Sequence, residues 1–274
     1  MTRMVRNDVT ALVIGSKGMI GQALVATGLA GCSHAALRDG MDIPSSLRTL
    51  VHAGRDPRLG TSDYDIDNDI ENVAARIAVE RDLHYIMLSS RKVYGDARSP
   101  ITEETPLRPT DLYGRQKLAM EERLRERLGS RLTILRISNV FSLEPGRRSF
   151  FGMMLDRLAG EGEIRFDMSP LTARDFIPLE LAADIIAAIV AAPPGGVVNI
   201  GSGVPLPTGD LARAVIDGFG SGRLVSTDLT IRDAFVLDVA SMYALTGLRV
   251  TRQQILNHAR HIGERLRADR LPAD

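Results

Sequence analysis

A tyrosine and a lysine four residues apart, Tyr113 and Lys117 in LYGRQK, are the side chains of this sequence best suited to moving a proton. A free phenol has a pKa of about 10 and relays protons poorly at neutral pH. A neighbouring ammonium favours the phenolate and brings such a group into working range. Lysine is also a compact donor that can hold ribose hydroxyls, which planar arginine does poorly. The residue type is conspicuous because the chain has only three lysines, Lys17, Lys92 and Lys117, with arginine supplying the rest of its 34 basic side chains. Ser90 ends the apolar run HYIMLSS, where a hydroxyl can donate to a substrate carbonyl as charge builds on its oxygen. Helices carry Tyr-x-x-x-Lys pairs on solvated faces often. The pair gains weight from the serine 23 residues before it and from a glycine-rich loop near the start.

That loop, VIGSKGMIG, sets Gly15, Gly18 and Gly21 between a buried apolar run and a helical pattern, with Ser16, Lys17, Met19 and Ile20 among them. Glycines there let backbone N–H groups approach a pyrophosphate at a helix N-terminus. The spacing is G-x-x-G-x-x-G, and its place at the first strand points to a dinucleotide. Cofactor choice is made at the end of the second strand, expected at His34–Leu37, where Arg38 and then Asp39 follow. An arginine pairs with the extra phosphate of NADP, and Lys17 adds a second positive charge. The expected cofactor is therefore NADP(H); Asp39 holding the ribose instead would select NAD(H).

Parallel βαβ units must position these residues. Strands are expected at Val9–Ile14, His34–Leu37, Thr49–His52, Tyr85–Leu88, Leu132–Ile137 and Val197–Ile200. Helices are expected at Met19–Leu29, Ile66–Glu80, Leu112–Leu128, Ile177–Val190 and Thr251–Arg267. The stretch from Asp42 to Thr49 is short for a crossover, so one helix is expected to be trimmed there. The reading is an α/β, doubly wound parallel sheet with a small C-terminal substrate lobe. Residues 1–142, with 173–200 returning, would form the nucleotide-binding domain, and 143–172 with 201–274 the substrate lobe. Balanced charge, 34 basic against 34 acidic residues, argues against nucleic acid as partner. One cysteine, Cys32, excludes an intrachain disulfide, and no Cys-x-x-Cys metal site exists. The spacing of His258 and His261 lacks further ligands, so no metal is expected. No apolar run suits a signal peptide or membrane span, and a cytoplasmic location is expected.

With these residues in place, the chain resembles the extended short-chain dehydrogenase/reductase family, of the NAD(P)-dependent epimerase/dehydratase type. SSRKVYGD resembles its serine stretch, and ITEETPLRPTDLYGRQK the segment carrying its active-site tyrosine and lysine. LRISNVF, RDFIP and VVNIGSG resemble later landmarks, around Asn139, Arg174–Asp175 and Asn199. The resemblance implies a Rossmann-type fold, cofactor contacts from Ala53 and Gly54 in LVHAG, and adenine contacts from Asp42 and Ile43. It implies Ser90, Tyr113 and Lys117 as catalytic residues acting on a nucleotide-diphosphate sugar at C4. GSKGMIG and AALRDGMDI look most like the GDP-fucose synthase branch, with the dTDP-4-dehydrorhamnose reductases a similar comparison. Where the former has a cysteine for epimerisation this chain has Lys92, and Phe150 stands at the second position. Ketone reduction is therefore expected, with an NAD-dependent epimerase or dehydratase, or a non-catalytic NADP sensor, as alternatives. Substrate contacts are expected from Ser90, Arg91, Asn139 and Arg232, with Arg55, Arg147 and Arg148 completing a cationic rim. The family also implies a homodimer paired through Ile66–Glu80 and Leu112–Leu128.

Overall fold

The computed structural model describes residues 9–144, 146 and 149–269; Arg147 and Arg148 of the expected rim lie outside the described residues. The chain opens with β1 (Ala11–Ile14), α1 (Met19–Ala26), β2 (Ala30–Cys32), α2 (His34–Arg38) and β3 (Thr49–His52). Then come α3 (Ile70–Glu80), β4 (His84–Ser90), α4 (Leu112–Leu128), β5 (Leu132–Ile137) and β6 (Asn139–Phe141). The rest is α5 (Phe150–Glu161), β7 (Glu163–Phe166), β8 (Ala173–Arg174), β9 (Phe176–Pro178), α6 (Leu179–Ala191), β10 (Gly196–Ile200), β11 (Leu206–Pro207), α7 (Thr208–Phe219), β12 (Arg223–Ser226), α8 (Ala240–Thr246) and α9 (Arg252–Ala268).

Six strands form one parallel sheet in the order β10-β5-β4-β3-β1-β2. Alternate side chains feed two faces, as the strand period requires. Val13, Val51, Ile86 and Leu135 pack on the face that carries α1 and α6. Leu12, Ile14, Leu50, Tyr85, Met87 and Ile134 pack on the face that carries α3 and α4. The direction of winding reverses between β1 and β3, and such a reversal opens a crevice at the strands' C-terminal ends. Three two-stranded pairs, β6 with β9, β7 with β12 and β8 with β11, make up the smaller sheets.

Two expectations need correcting. The second strand is Ala30–Cys32, and His34–Arg38 is a helix, not a strand. The side chain of Ser33 accepts from the Ala36 N–H at 3.2 Å, so it caps a helix start and Ala-Ala-Leu-Arg carries it on. The trimmed crossover is thus this five-residue helix, upstream of Asp42. Helix α1 stops at Ala26 because Gly28 adopts φ +101° just beyond it, and α3 starts at Ile70 because the Asp69 side chain caps the Glu71 N–H at 2.9 Å.

One buried carboxylate joins three passages of chain. Asp175 accepts from the Ser202 N–H and hydroxyl at 2.8 Å each, from the Gly203 N–H at 3.1 Å and from the Leu237 N–H at 3.2 Å. Burial pushes its carboxyl above the usual range, and those donors only partly offset the push.

Candidate active site

A cavity of about 1150 Å³ opens at the C-terminal ends of β1, β3, β4 and β5. Its floor is backbone. Gly15 takes φ +84°, and a Cβ there would stand 2.6 Å from the Gly54 Cα. The Gly15 and Ser16 N–H groups both donate to the Cys32 carbonyl at 3.0 Å, fastening the loop to β2. The His34 ring lies across this floor, so close that a Cβ on Gly54 would come within 1.9 Å of its Nε2. Gly18 begins α1 without a side-chain cap, which leaves that helix N-terminus open to an anion. A side-chain-free cradle beside an open helix N-terminus fits a dinucleotide pyrophosphate.

Gly15, Lys17, Gly18, Met19, Ile20, Ala53 and Gly54 line the cavity as expected of cofactor contacts. Ser16 and Gly21 serve the loop itself; a Cβ on Gly21 would stand 2.2 Å from the Gly15 carbonyl oxygen. Neither of these two lines the cavity, and three more expected cofactor residues, Arg38, Asp42 and Ile43, are also absent from the lining. Arg38 is exposed in the last turn of α2, displaced because β2 ends six residues before it, at Cys32. Asp42 is exposed, and Ile43 is buried in the core with its carbonyl accepting from Arg81 at 3.3 Å. The positions beside the end of β2 are Ser33, His34 and Ala35, which all line the cavity. The sequence signal that could have found them was the serine cap before Ala-Ala-Leu-Arg.

Ser90, Tyr113 and Lys117 all face the same cavity. The Ser90 hydroxyl accepts from the Lys92 N–H at 3.2 Å, so its own proton can point to a group in the cavity. Lys117 is 5% exposed, and its ammonium donates to the Leu88 carbonyl at 2.9 Å and lies 4.0 Å from Glu71 Oε2. The period of α4 puts Tyr113 and Lys117 on one face. Over the Tyr113 ring stands the Arg55 guanidinium, 5.2 Å from its centre, which also donates to the Leu59 carbonyl at 2.6 Å.

The facing wall is aromatic, with Phe141, Phe150, Phe151 and Phe176 beside Asn139. Asn139 is held by its N–H, which donates to the Asp175 carbonyl at 3.3 Å. The Arg174 guanidinium lies 4.9 Å from the centre of the Phe150 ring. Arg91 does not belong to this wall. It is 4% exposed, donates to both oxygens of Asp233 at 2.7 and 2.5 Å, and packs its guanidinium 3.8 Å from the centre of the Phe235 ring. Arg232 is exposed, paired with Asp228, and is likewise absent from the lining. Burial raises the Asp233 carboxyl, but hydrogen bonds from Arg91 and the charges of Arg91, Lys92 and Arg174 hold it below the usual range.

The NAD dependent epimerase/dehydratase family matches residues 58–201 of the chain. Over 131 residues the chain is 34% identical to a dTDP-L-rhamnose 4-epimerase of Burkholderia thailandensis, a match covering 43% of this chain and 35% of that protein. The chain thus spans about a third of that relative's length. Among solved structures, RMD from Pseudomonas aeruginosa complexed with NADPH is similar in fold, with a TM-score of 0.74 at 18% identity over 93% of this chain and 99% of that one. MoeE5 in complex with UDP-glucose and NAD has a TM-score of 0.73 at 20% identity, over the same shares of the two chains. No helix among the described residues is long and apolar enough to cross a membrane. With more than half of its length matched, and with a nucleotide cradle and a Ser–Tyr–Lys set in one cavity, the chain belongs to the NAD-dependent epimerase/dehydratase family.

Proposed function

We propose that this protein is a cytoplasmic NADP(H)-dependent reductase acting on the keto group of a 4-keto nucleotide-diphosphate sugar. The observation that carries the reading is that Ser90, Tyr113 and Lys117 line the same cavity as the Gly15–Gly18 loop. When bound, the reduced nicotinamide supplies a hydride to the carbonyl carbon. Ser90 donates to the carbonyl oxygen and stabilises the charge that grows there. Tyr113 gives that oxygen its proton as general acid. Lys117, held by the Leu88 carbonyl, presents its ammonium to the phenol and to ribose hydroxyls. NADP(H) over NAD(H) is supported by the residues beside the end of β2, where Ser33, His34 and Ala35 offer no carboxylate to a ribose. Lys17 supplies a positive charge at the same cavity. The aromatic wall of Phe150, Phe151 and Phe176 would receive the sugar nucleotide opposite the glycine floor.

A second reading, a 4-epimerase that retains NAD, is favoured by the partial match to a dTDP-L-rhamnose 4-epimerase. The experiment that separates the two is to denature the purified protein, identify any nucleotide released, and titrate the empty protein with NADPH and NADH. Tighter binding of NADPH supports the reductase. Stoichiometric release of NAD, with no preference for NADPH on refilling, overturns it. Within the reductase, Tyr113→Phe should lower turnover by about 10²–10⁴-fold while NADPH binding stays near wild type. Retained turnover would remove Tyr113 from its role.

A further inference from the structure

A line of acid–base groups runs beneath the cavity floor and joins its two ends. It starts at His34, which lines the cavity above Gly54, and finishes at Lys117. His34 Nε2 and His52 Nε2 are 3.2 Å apart. His52 Nδ1 is 3.2 Å from Glu71 Oε1, short of a well-aligned hydrogen bond, and Glu71 Oε2 is 4.0 Å from Lys117 Nζ. The side chains of His52 and Glu71 are 1% and 4% exposed. None of the reaction roles given above uses His34, His52 or Glu71.

The surroundings set the direction of the line. Glu71 meets His52 from β3, the Tyr85 hydroxyl from β4 at 3.4 Å, and Lys117 from α4. On its own helix the capping Asp69 accepts from the Glu71 N–H and also takes a hydrogen bond from the Tyr64 hydroxyl. Burial raises the Glu71 carboxyl, yet His52, Lys117 and Tyr85 bring it below the usual range, so it stands as a carboxylate and only accepts. In the neutral His52 ring the single proton belongs on Nδ1, 3.2 Å from the Glu71 carboxylate, and Nε2 is bare. His34 must then carry its proton on Nε2 and keep Nδ1 as an acceptor. Burial, then His52 and Arg38, lower the proton affinity of His34, with Asp69 and Glu71 acting the other way. The ring rests neutral and takes up a proton only in passing.

Stability does not ask for this arrangement, since a well-packed apolar side chain in place of a buried ion is often equally stable or better. We propose that His34, His52 and Glu71 are positioning residues that form a proton conduit, returning to Lys117, and through it to Tyr113, the proton each reduction consumes. The inference rests on the reductase reading. A solvent proton binds His34 Nδ1, the Nε2 proton of His34 passes to His52 Nε2, and the Nδ1 proton of His52 passes to Glu71. The carboxyl turns and hands it to Lys117 Nζ, which has given one to the Tyr113 phenolate. One proton enters, one reaches Tyr113, no bond between heavy atoms changes, and ring flips restore both imidazoles.

The test compares wild type with His52→Phe and Glu71→Gln, using NADPH and a panel of 4-keto sugar nucleotides, in rapid-mixing and steady-state assays. The conduit requires that the first turnover keep its wild-type rate while later turnovers slow by about tenfold or more. Small imidazole or carboxylate buffers should restore the later turnovers, and the solvent deuterium effect on kcat should grow. A fall in both phases together, without rescue by buffer, would overturn the proposal and leave the cluster a packing feature. Nitrogen NMR of the imidazoles gives a readout free of activity. Wild type should show His52 protonated on Nδ1 and His34 on Nε2; the reverse pairing breaks the line. If wild type reduces none of the panel, the reductase reading fails and the tautomers alone decide whether the line exists.

Discussion

The two walls of the cavity are built from different materials. The cofactor wall is backbone against backbone, where Gly15, Gly21 and Gly54 leave no room for a methyl group. Behind the facing wall, charge holds the chain: Asp233 draws in Arg91, and the Lys92 and Arg174 nitrogens lie 3.6 and 3.7 Å from it. Arg174 in turn backs Phe150. The first wall depends on shape over short stretches of chain. The second depends on an ion cluster gathered across 142 residues of sequence. A site assembled this way should fail differently on its two sides.

The largest break is expected at the ion cluster. Asp233→Ala strands the buried Arg91 guanidinium and should cost about 3–5 kcal/mol of unfolding free energy, read from denaturant midpoints. A loss under about 1 kcal/mol, the size of an exposed ion pair, would mean that the cluster is solvated and the contrast false. Next is Gly21→Ala, whose new methyl would meet the Gly15 carbonyl. A cost of about 1–3 kcal/mol is expected, with NADPH affinity falling alongside stability. Lost stability with unchanged NADPH affinity would separate the loop from the cofactor.

The smallest effects are in acid, and they sharpen the contrast because the walls titrate in different windows. His34 has its proton affinity lowered by burial and by His52 and Arg38, and His84 by burial and by Arg131. The unfolded chain therefore takes up protons that the folded chain refuses, and stability should decline as pH falls below about 6.5. Asp233 is depressed in the folded state, so its contribution persists above the ordinary aspartate value and is lost only below about pH 4. Thermal melts along a pH series should show two separate declines, the upper one reduced in His34→Phe. One merged decline would count against two independent walls.

The walls also differ in how far they can be read from sequence. Thr49–His52, Leu112–Leu128 and Leu132–Ile137 are the observed β3, α4 and β5 to the residue; α4 is a long helical run, and the two strands are short runs buried at every position. Ser90, Tyr113, Lys117 and the glycine loop are local patterns, and the fold brings them to one cavity. The second strand is hard to read because Ala-Gly-Cys carries no β-branched residue, while the His-Ala-Ala-Leu that follows is more apolar. That reading sets Arg38 at the cavity, where the structure has Ser33, His34 and Ala35 instead. Arg91 and Arg232 suggest substrate contacts in the sequence because it shows charge without showing its partner. The partners, Asp233 and Asp228, become visible only after folding.

Asp175 carries a consequence for how the molecule comes apart. Its four hydrogen bonds reach the turn after β10 and the strand-like passage at Leu237, so the smaller sheets cannot swing from the large one without emptying a buried carboxylate. A partly opened form would hold an unsolvated anion with no donors, a state more costly than either the closed or the fully unfolded chain. Partial opening is thereby penalised, and the two layers share one cooperative transition. The rigidity that keeps Asn139 and Tyr113 in one cavity and an all-or-none unfolding of the chain would then have a single origin.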